Sequence, residues 1–245
     1  MKFITIPSVE LVRSFHERLT EEFAKDNDPI SPPGIKNIGL LESAVARCDT
    51  GIGDVYKYKR LFEKAAVLFH SLAKNHAFHN GNKRTALISL IYTLHVNGYY
   101  LNISDDKLYE LVLGVADDKY PNGIGSRDFD GQIVYISSLI RSNSSNINSD
   151  PRELSVDDFI ESCKSLGCSC RTSSGSYIIS YNNSSIRISI STSRLSGKVV
   201  KRYLSTLGLS SSRNLISFDE FKERLPLSQI LIGKYKHILS RLSAE

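Results

Sequence analysis

The chain has 245 residues, of which 41% are apolar and 23% charged, and its formal net charge is +5 at pH 7. This composition excludes a disordered chain, a collagen-like repeat and a low-complexity scaffold, and the length predicts two domains, because one domain usually holds about 100 to 150 residues. No apolar run approaches the roughly 18 residues of a membrane helix, and residues 1–8 are too short for a signal peptide, so we expect a cytoplasmic protein without a membrane partner.

Residues 1–141 show the spacing of amphipathic helices. Apolar side chains recur three or four positions apart in three stretches, which places each set on one helix face. The three sets are Val12, Phe15, Leu19 and Phe23; Leu61, Ala65, Leu68, Phe69 and Leu72; and Leu87, Leu90, Ile91 and Leu94. Basic and acidic residues are balanced in this part, with 17 of each. We therefore predict a mainly α fold here, a helical bundle.

The segment between the second and third helical stretches has the features of an anion site. A helix that begins near Asn82 turns its free backbone N–H groups and the positive end of its dipole towards the preceding loop. Gly81 lets the backbone approach a phosphate closely, and Lys83 and Arg84 add two cations in the first turn. His76 lies upstream, and an imidazole can take a proton from an incoming hydroxyl. These residues predict transfer of a phosphorus-containing group from a nucleotide to a hydroxyl; they equally fit a surface loop before a solvated helix start.

The order of residues in this segment extends beyond a single Gly-Lys pair. It runs His76-Ala77-Phe78-His79-Asn80-Gly81-Asn82-Lys83-Arg84-Thr85. This segment resembles the motif of the Fic/Doc superfamily, His-x-Phe-x-acid-Gly-Asn-Lys-Arg-Thr, and looks most like the death-on-curing (Doc) toxin branch. The resemblance covers about residues 1–141 and implies a Fic/Doc-like helical bundle.

The resemblance also implies a role for each matched residue. The roles are catalytic base for His76, loop anchor for Phe78, and nucleotide or phosphate binding for Gly81, Asn82, Lys83 and Arg84. AMP-transferring relatives have Gly at the position of Lys83, so the Lys implies the Doc reaction, in which the γ-phosphate of ATP passes to a threonine of elongation factor Tu. AMP transfer by the same site is the alternative. The Doc branch also implies a separate antitoxin protein as partner.

Asn80 departs from the family pattern. Most members have Asp or Glu at this position, and that acid is the expected Mg²⁺ ligand. An amide oxygen can coordinate a cation but brings no charge. We therefore expect ATP and Mg²⁺ to bind, with Mg²⁺ held largely by the nucleotide phosphates, Asn80 as a weak metal ligand and the activity weakened.

The second part of the chain follows a polar, turn-prone stretch, residues 142–151, which predicts a linker. Beyond it, residues 176–181 and 186–190 are predicted to be strands, the second because Ile186, Ile188 and Ile190 alternate with Arg187 and Ser189, and helices are expected on both sides of them. We predict a smaller α+β domain over residues 152–245. Its order of elements resembles double-stranded-RNA-binding modules and, faintly, HicA-type mRNA interferases, although Tyr177 stands where those enzymes have a catalytic His.

The whole net charge of +5 lies in residues 142–245, and no acid occurs between Glu161 and Asp219. A basic, acid-free stretch of this length favours a polyanionic partner. The residues predicted to contact RNA are Lys198, Lys201 and Arg202. An alternative function follows, in which a degenerate Fic-type domain regulates an RNA-binding C-terminal module; a basic accessory domain that docks on protein also fits the pattern.

Overall fold

The computed structural model of the chain describes residues 4–53, 55–121, 123–147, 152–209 and 217–242. The helices, in chain order, are α1 (Val9–Glu22), α2 (Ile38–Ala46), α3 (Leu61–Lys74), α4 (Asn82–Val96), α5 (Asp105–Ala116), α6 (Phe129–Ser142), α7 (Val156–Ser165), α8 (Gly197–Thr206), α9 (Phe218–Glu223), α10 (Leu227–Lys234) and α11 (Lys236–Arg241). The strands are β1 (Gly51–Ile52), β2 (Val55–Tyr56), β3 (Tyr99–Leu101), β4 (Ser144–Asn146), β5 (Leu154–Ser155), β6 (Ser169–Ser173), β7 (Ser176–Tyr181), β8 (Ser184–Ser189) and β9 (Arg194–Leu195).

The chain divides into two units, and one of them is made of two separate stretches of the sequence. The first unit contains residues 1–147 together with residues 231–245, and the second contains residues 148–230. The predicted fold class, mainly α followed by a smaller α+β part, is confirmed. We expected the second domain to extend to residue 245, whereas the structure groups the end of the chain with the first unit.

The first unit is a helical bundle whose centre is formed by α3 and α4. Almost every residue from Ala65 to Ala73 and from Arg84 to Leu94 is buried, and a helix that is buried on all sides occupies the middle of a bundle. The apolar face predicted for α1 is also buried, including Phe15 and Leu19. These contacts hold the turn between α3 and α4, where the candidate motif lies, against the core.

A short antiparallel pair closes one end of this bundle. In it, Tyr99 pairs with Asn146 and Leu101 with Ser144. Residues 144–146 fall inside the segment predicted as a linker; they pair through backbone groups, which their small polar side chains do not reveal in the sequence. Of the same segment, Ser142 is the last residue of α6, and residues 148–151 lie outside the described residues.

The second unit has the order α7, β6, β7, β8, α8. The three strands form one antiparallel sheet in which β7 is central. Its inner face contributes Ile179 and Ile186 to the core, and the helices contribute Phe159 and Val200 to the same core. The strand β6 was not predicted, whereas β7 was predicted over residues 176–181 and is confirmed.

Within the described part of the chain, no helix combines the length and the apolar character needed to cross a membrane.

Candidate functional site

The first turn of α4 opens onto the candidate site. The helix begins at Asn82, as predicted, and its first backbone bond runs from the Thr85 N–H to the Gly81 carbonyl at 2.9 Å. Gly81 has a φ of +75°, and a Cβ placed on it would lie 3.0 Å from Cδ1 of Ile30. A left-handed φ and a close neighbour both favour glycine here. Having no side chain, Gly81 also cannot cap the N–H groups of the first turn.

The side chain of Asn82 holds the loop before the helix in place. Its Oδ1 accepts from the Phe78 N–H at 3.0 Å, and its Nδ2 donates to the Phe78 carbonyl at 2.9 Å. Both halves of the amide are therefore used within the loop. The group of Asn82 that can bind an anion is therefore its backbone N–H, which lies at the start of the helix.

Phe78, the predicted loop anchor, is 1% exposed and forms an isolated antiparallel bridge with Ile35. Its ring stacks on the imidazole of His16, with 4.1 Å between ring centroids and 16° between planes. The loop is thus held in place through Phe78 by His16, a residue of α1 that lies outside the motif.

His16 connects three segments through its two ring nitrogens. Its Nε2 accepts from the Gly34 N–H at 3.0 Å, and its Nδ1 lies 3.2 Å from Oγ1 of Thr85. Because a backbone N–H can only donate, Nε2 carries no proton and the proton of the neutral ring lies on Nδ1. Burial lowers the pKa of His16 to about 4, which keeps the ring neutral at pH 7. Sequence analysis missed this role; its one signal was a His on the apolar face of the first helix.

A cleft of about 340 Å³ lies over the loop, a size within the usual range of ligand pockets. Its lining residues are Ala73, His76, His79, Asn80, Gly81, Asn82, Lys83, Arg84, Ala116, Asp117 and Leu242. The cleft therefore contains each predicted catalytic, phosphate-binding and metal residue of the motif, while Phe78 lies beneath it. The predicted RNA contacts, Lys198, Lys201 and Arg202, belong to the second unit.

His76 lies at this cleft in an uncommon backbone conformation. Its φ is +50°, in the left-handed region, and its side chain is exposed. Non-glycine residues are uncommon in this region, and they tend to occur where a side chain has to be directed at a functional site. The conformation leaves the imidazole accessible to a second molecule that enters the cleft.

Arg84 differs from the other motif residues because it is only 3% exposed. Its Nε donates to the Leu239 carbonyl at 2.9 Å, and its two terminal nitrogens lie 3.4 and 3.3 Å from the Asp28 carbonyl. The guanidinium also lies 4.4 Å from the centroid of the Phe23 ring. Burial lowers the pKa of Arg84, although an Arg remains charged at any pH relevant here.

Asn80, the candidate metal ligand, is engaged on both sides of its amide. Its Nδ2 donates to the Ser31 carbonyl at 3.0 Å, and its Oδ1 accepts from the Gly81 N–H at 2.6 Å. The Nδ2 bond explains why an amide suits this position, since a carboxylate would place an acceptor against the Ser31 oxygen. The structure thus gives Asn80 a positioning contact that an acid would lose.

One carboxylate, that of Asp117, occurs among the described lining residues of the cleft. A hydrogen bond from Lys119 lowers the pKa of Asp117, and the charge of Lys83 acts in the same direction. One paired carboxylate and one hydrogen-bonded amide are a poor donor set for a dedicated Mg²⁺ site, which usually draws on carboxylates and substrate phosphates. The described lining of the cleft therefore offers few ligands of its own to a metal ion.

Comparison with known proteins agrees with this geometry. The Fic/DOC family model matches residues 6–94. Over 84 residues the chain is 48% identical to Toxin Doc of Mycolicibacterium smegmatis, a match that covers 34% of this chain and 65% of that protein. Residues 6–94 form a Fic/Doc segment. This Fic/Doc segment includes the cleft residues from Ala73 to Arg84 and also His16, whereas Asp117 and Leu242 lie beyond it.

The buried neutral ring of His16 predicts a pH dependence of stability. Between about pH 6.5 and 4 this His is protonated in the unfolded chain and neutral in the folded chain. The free energy of unfolding therefore keeps its full value above pH 6.5 and falls by about 3 kcal/mol in total as the pH is lowered towards 4. Burial also lowers the pKa of His70, which adds to the same trend. Urea unfolding at pH 7 and pH 4.5 measures the loss.

The matched variants are His16→Gln and His79→Gln, since His79 is exposed. His16→Gln should be less stable than the parent at pH 7 and should lose a smaller amount of stability between the two pH values. His79→Gln should keep the parent's pH dependence. An unchanged pH dependence in His16→Gln would contradict the neutral buried ring.

Proposed function

We propose that this chain is a Doc-like toxin, a nucleotide-dependent transferase that passes the γ-phosphate of ATP to a hydroxyl of a protein target. The observation that carries the proposal is the meeting of His76, Lys83 and Arg84 at one cleft, at the N-terminus of α4 and within the Fic/Doc segment. The similarity to Toxin Doc supports it. Lys83, which stands where AMP-transferring relatives have Gly, favours the kinase reaction over AMP transfer.

In the proposed reaction, the target hydroxyl oxygen forms a bond to the γ-phosphorus. The bond between that phosphorus and the bridging oxygen to the β-phosphate breaks, and ADP leaves with the electron pair. The hydroxyl proton passes to the imidazole of His76, which acts as general base. Lys83 and the first-turn N–H groups of α4 stabilise the charge on the transferred group, which is the main task of a protein in phosphoryl transfer.

Mg²⁺ would enter this site with ATP, bound mainly by the phosphates, and would neutralise part of their charge. Asn80 and Asp117 are the oxygen donors that the cleft offers in addition. The target that we propose is a translation factor, elongation factor Tu for a Doc-like reaction, and the opposing partner is a separate antitoxin protein.

Incubation of the purified protein with a cell extract and ATP labelled at either the γ- or the α-phosphate tests the reaction. We expect label transfer to protein from γ-labelled ATP, and His76→Ala should reduce its rate by about 10²- to 10⁴-fold, the usual contribution of a general base. His79→Ala, a neighbouring exposed imidazole, is the matched control and should keep most of the activity.

The labelling pattern separates the alternatives. Transfer from α-labelled ATP alone would replace the kinase by an AMP transferase in the same cleft. Absence of transfer from both labels, with the parent and His76→Ala equally toxic to cells, would remove catalysis from the proposal.

Asn80→Asp tests the weakened metal contact. A second carboxylate in the cleft should lower the Mg²⁺ concentration at half-maximal activity several-fold, because it adds a negative charge that would attract the cation. The same change removes the Nδ2 bond to the Ser31 carbonyl, so the variant should be less stable by about 1 kcal/mol. Activity measured against Mg²⁺, together with urea unfolding, checks both effects; Asn80→Ala, which loses the bond without adding charge, is the control.

A second candidate function, RNA binding, belongs to the second unit. Val200 and Leu204 of α8 are buried in its core, whereas Lys198, Lys201 and Arg202 of the same helix are exposed. Three cations within two turns suit the phosphate backbone of a nucleic acid.

The sheet of this unit supplies a control surface. Arg171 and Arg187 flank Ile178 in the strand register, so the two Arg side chains share the face of the sheet that is turned away from Ile179 and Ile186. The α8 cations and the sheet cations therefore lie on different faces of the second unit.

Neutralising the α8 cations in the full chain tests this candidate. Lys198→Gln, Lys201→Gln and Arg202→Gln together should weaken binding of a short RNA duplex and reduce the slope of log affinity against log salt by about 2 to 3. Arg171→Gln, Arg187→Gln and Arg194→Gln remove the same charge elsewhere and should have a smaller effect. Equal losses in both triple variants would indicate attraction by net charge alone, without an RNA site on α8.

A further inference from the structure

The end of α5 brings a carboxylate to the wall of the cleft. Asp117 follows α5 as its C-cap residue, and its backbone N–H donates to the Leu113 carbonyl at 2.9 Å. It lines the cleft together with His76 and Lys83. In the proposed transfer reaction, neither the proton nor the phosphoryl group passes through Asp117. The place of this carboxylate in the cleft therefore calls for a separate explanation.

A carboxylate is electrostatically unfavourable at this position, because the C-terminal end of a helix carries partial negative charge. Nearby lysines compensate for it. The Nζ of Lys119 donates to Oδ2 of Asp117 at 2.8 Å, and this hydrogen bond lowers the pKa of Asp117. The charges of Lys83 and Lys74 act in the same direction. Asp117 is therefore ionised at neutral pH, and a negative charge faces the cleft in which phosphates are proposed to bind.

The turn after α5 fixes the position of Asp117. Asp118 has a φ of +58°, and the Lys119 N–H donates to the Gly114 carbonyl at 2.8 Å. These are the features of a Schellman motif, in which the left-handed residue is usually glycine. Asp118 occupies that place here, although a side chain makes the left-handed conformation less favourable. The contacts of the Asp118 side chain explain why a residue other than glycine is present.

Lys74 of α3 anchors this turn. Its Nζ donates to the Ala116 carbonyl at 3.1 Å and to Oδ2 of Asp118 at 2.6 Å, so it binds the residues on both sides of Asp117. The ion pair is partly buried, and hydrogen bonds between charged groups are among the stronger ones. Ala73, the residue before Lys74, lines the cleft as Ala116 and Asp117 do. The ends of α3 and α5 thus meet at the cleft, and Asp117 is held there.

Repulsion between like charges decides which part of a nucleotide can approach Asp117. The start of α4 and Lys83 attract phosphates, whereas the Asp117 carboxylate repels them. The part of the nucleotide beside this carboxylate is therefore an uncharged part that carries hydrogen-bond donors. The ribose meets both conditions, because it follows the phosphates directly and its two neighbouring hydroxyls can donate to one carboxylate. The amino group of adenine is also a donor, but the sugar separates it from the phosphates.

We propose that Asp117 accepts hydrogen bonds from the ribose hydroxyls, so that the cleft selects ribonucleotides over nucleotides without these hydroxyls, and that Lys74 is the positioning residue that holds Asp117 in place. This inference rests on the proposed function, because it names the substrate class of the same cleft. It concerns a residue beyond the Fic/Doc segment, which ends at residue 94.

Binding of ATP and of 2′,3′-dideoxy-ATP to the full chain, each with Mg²⁺ and measured by calorimetry, tests the role of Asp117. We expect the parent to bind ATP at least about tenfold more tightly, because the hydroxyls donate to a charged acceptor. In Asp117→Ala the two affinities should agree within about threefold, because both nucleotides then lack this acceptor. The ratio of the two affinities is the readout, since removal of a negative charge near the phosphates affects both nucleotides alike.

Asp130→Ala is the matched control for Asp117→Ala. It removes an exposed carboxylate that is paired with a lysine, Lys57, and it should keep the parent's ratio. Urea unfolding of both variants shows whether a change in the ratio comes from a loss of folding.

Lys74→Gln tests the positioning role. Without this cation the ratio should fall at least about threefold, because the turn that carries Asp117 loses its bonds to α3. Lys74→Arg keeps a cation that can donate to both acceptors and should retain the parent's ratio, and Lys57→Gln is the control from an exposed pair. A purely structural role of Lys74 would lower stability in urea and leave the ratio unchanged, which would overturn the positioning role.

The outcomes separate this inference from the proposed function. Equal binding of both nucleotides by the parent overturns the inference, while transfer of label from γ-labelled ATP leaves the proposed function standing. The parent's ratio retained in Asp117→Ala also overturns it, and a higher Mg²⁺ requirement in that variant would then identify Asp117 as a metal donor. No binding of either nucleotide by the parent, together with no transfer of label, overturns the proposed function and this inference together.

Discussion

The neutral imidazole of His16 joins the three segments on which the cleft depends. It accepts from Gly34, faces the hydroxyl of Thr85 and stacks on Phe78. A protonated ring would lose the Gly34 contact, because it would have no acceptor nitrogen. Burial in the bundle keeps the ring neutral. The position of the motif loop is therefore set by a residue of α1, about sixty residues before it, and the motif alone does not account for its own geometry.

Within the loop, the two asparagines have mainly structural contacts. Asn82 closes the turn through the backbone of Phe78, and Asn80 ties it to Ser31. Both contacts use the amide N–H, which a carboxylate lacks. Asn80 thus brings to the cleft an uncharged oxygen together with a hydrogen bond that holds the loop, whereas a carboxylate would add charge and lose that bond.

The sequence predicted the parts of the fold that follow local spacing. The helix start at Asn82, the buried face of α1 and the strand β7 all come from patterns within a few residues. It did not predict β6, in which one Cys is the only apolar residue among Ser, Arg and Thr, nor β4, which pairs through the backbone. Whether such a strand forms depends on the strand with which it pairs, and no pattern within its own residues identifies that partner.

The prediction of the site from sequence was limited in the same way, because local patterns do not identify residues that come together only in the folded chain. Sequence analysis identified the motif residues that line the cleft, but it missed His16, Asp117 and Leu242, which reach the site through tertiary packing. Helices were expected after the strands of the second part of the chain. The core against which the last of them would pack could not be predicted, because periodicity identifies the apolar face of a helix and not its partner.

The discontinuous make-up of the first unit has a consequence for the order of synthesis. A ribosome synthesises residues 1–147 first, then residues 148–230, and residues 231–242 after them. Domains commonly begin to fold while the remainder of the chain is still being made. The helical bundle can thus form before Leu239 has been synthesised, and at that stage the Nε of Arg84 lacks the acceptor that Leu239 later provides.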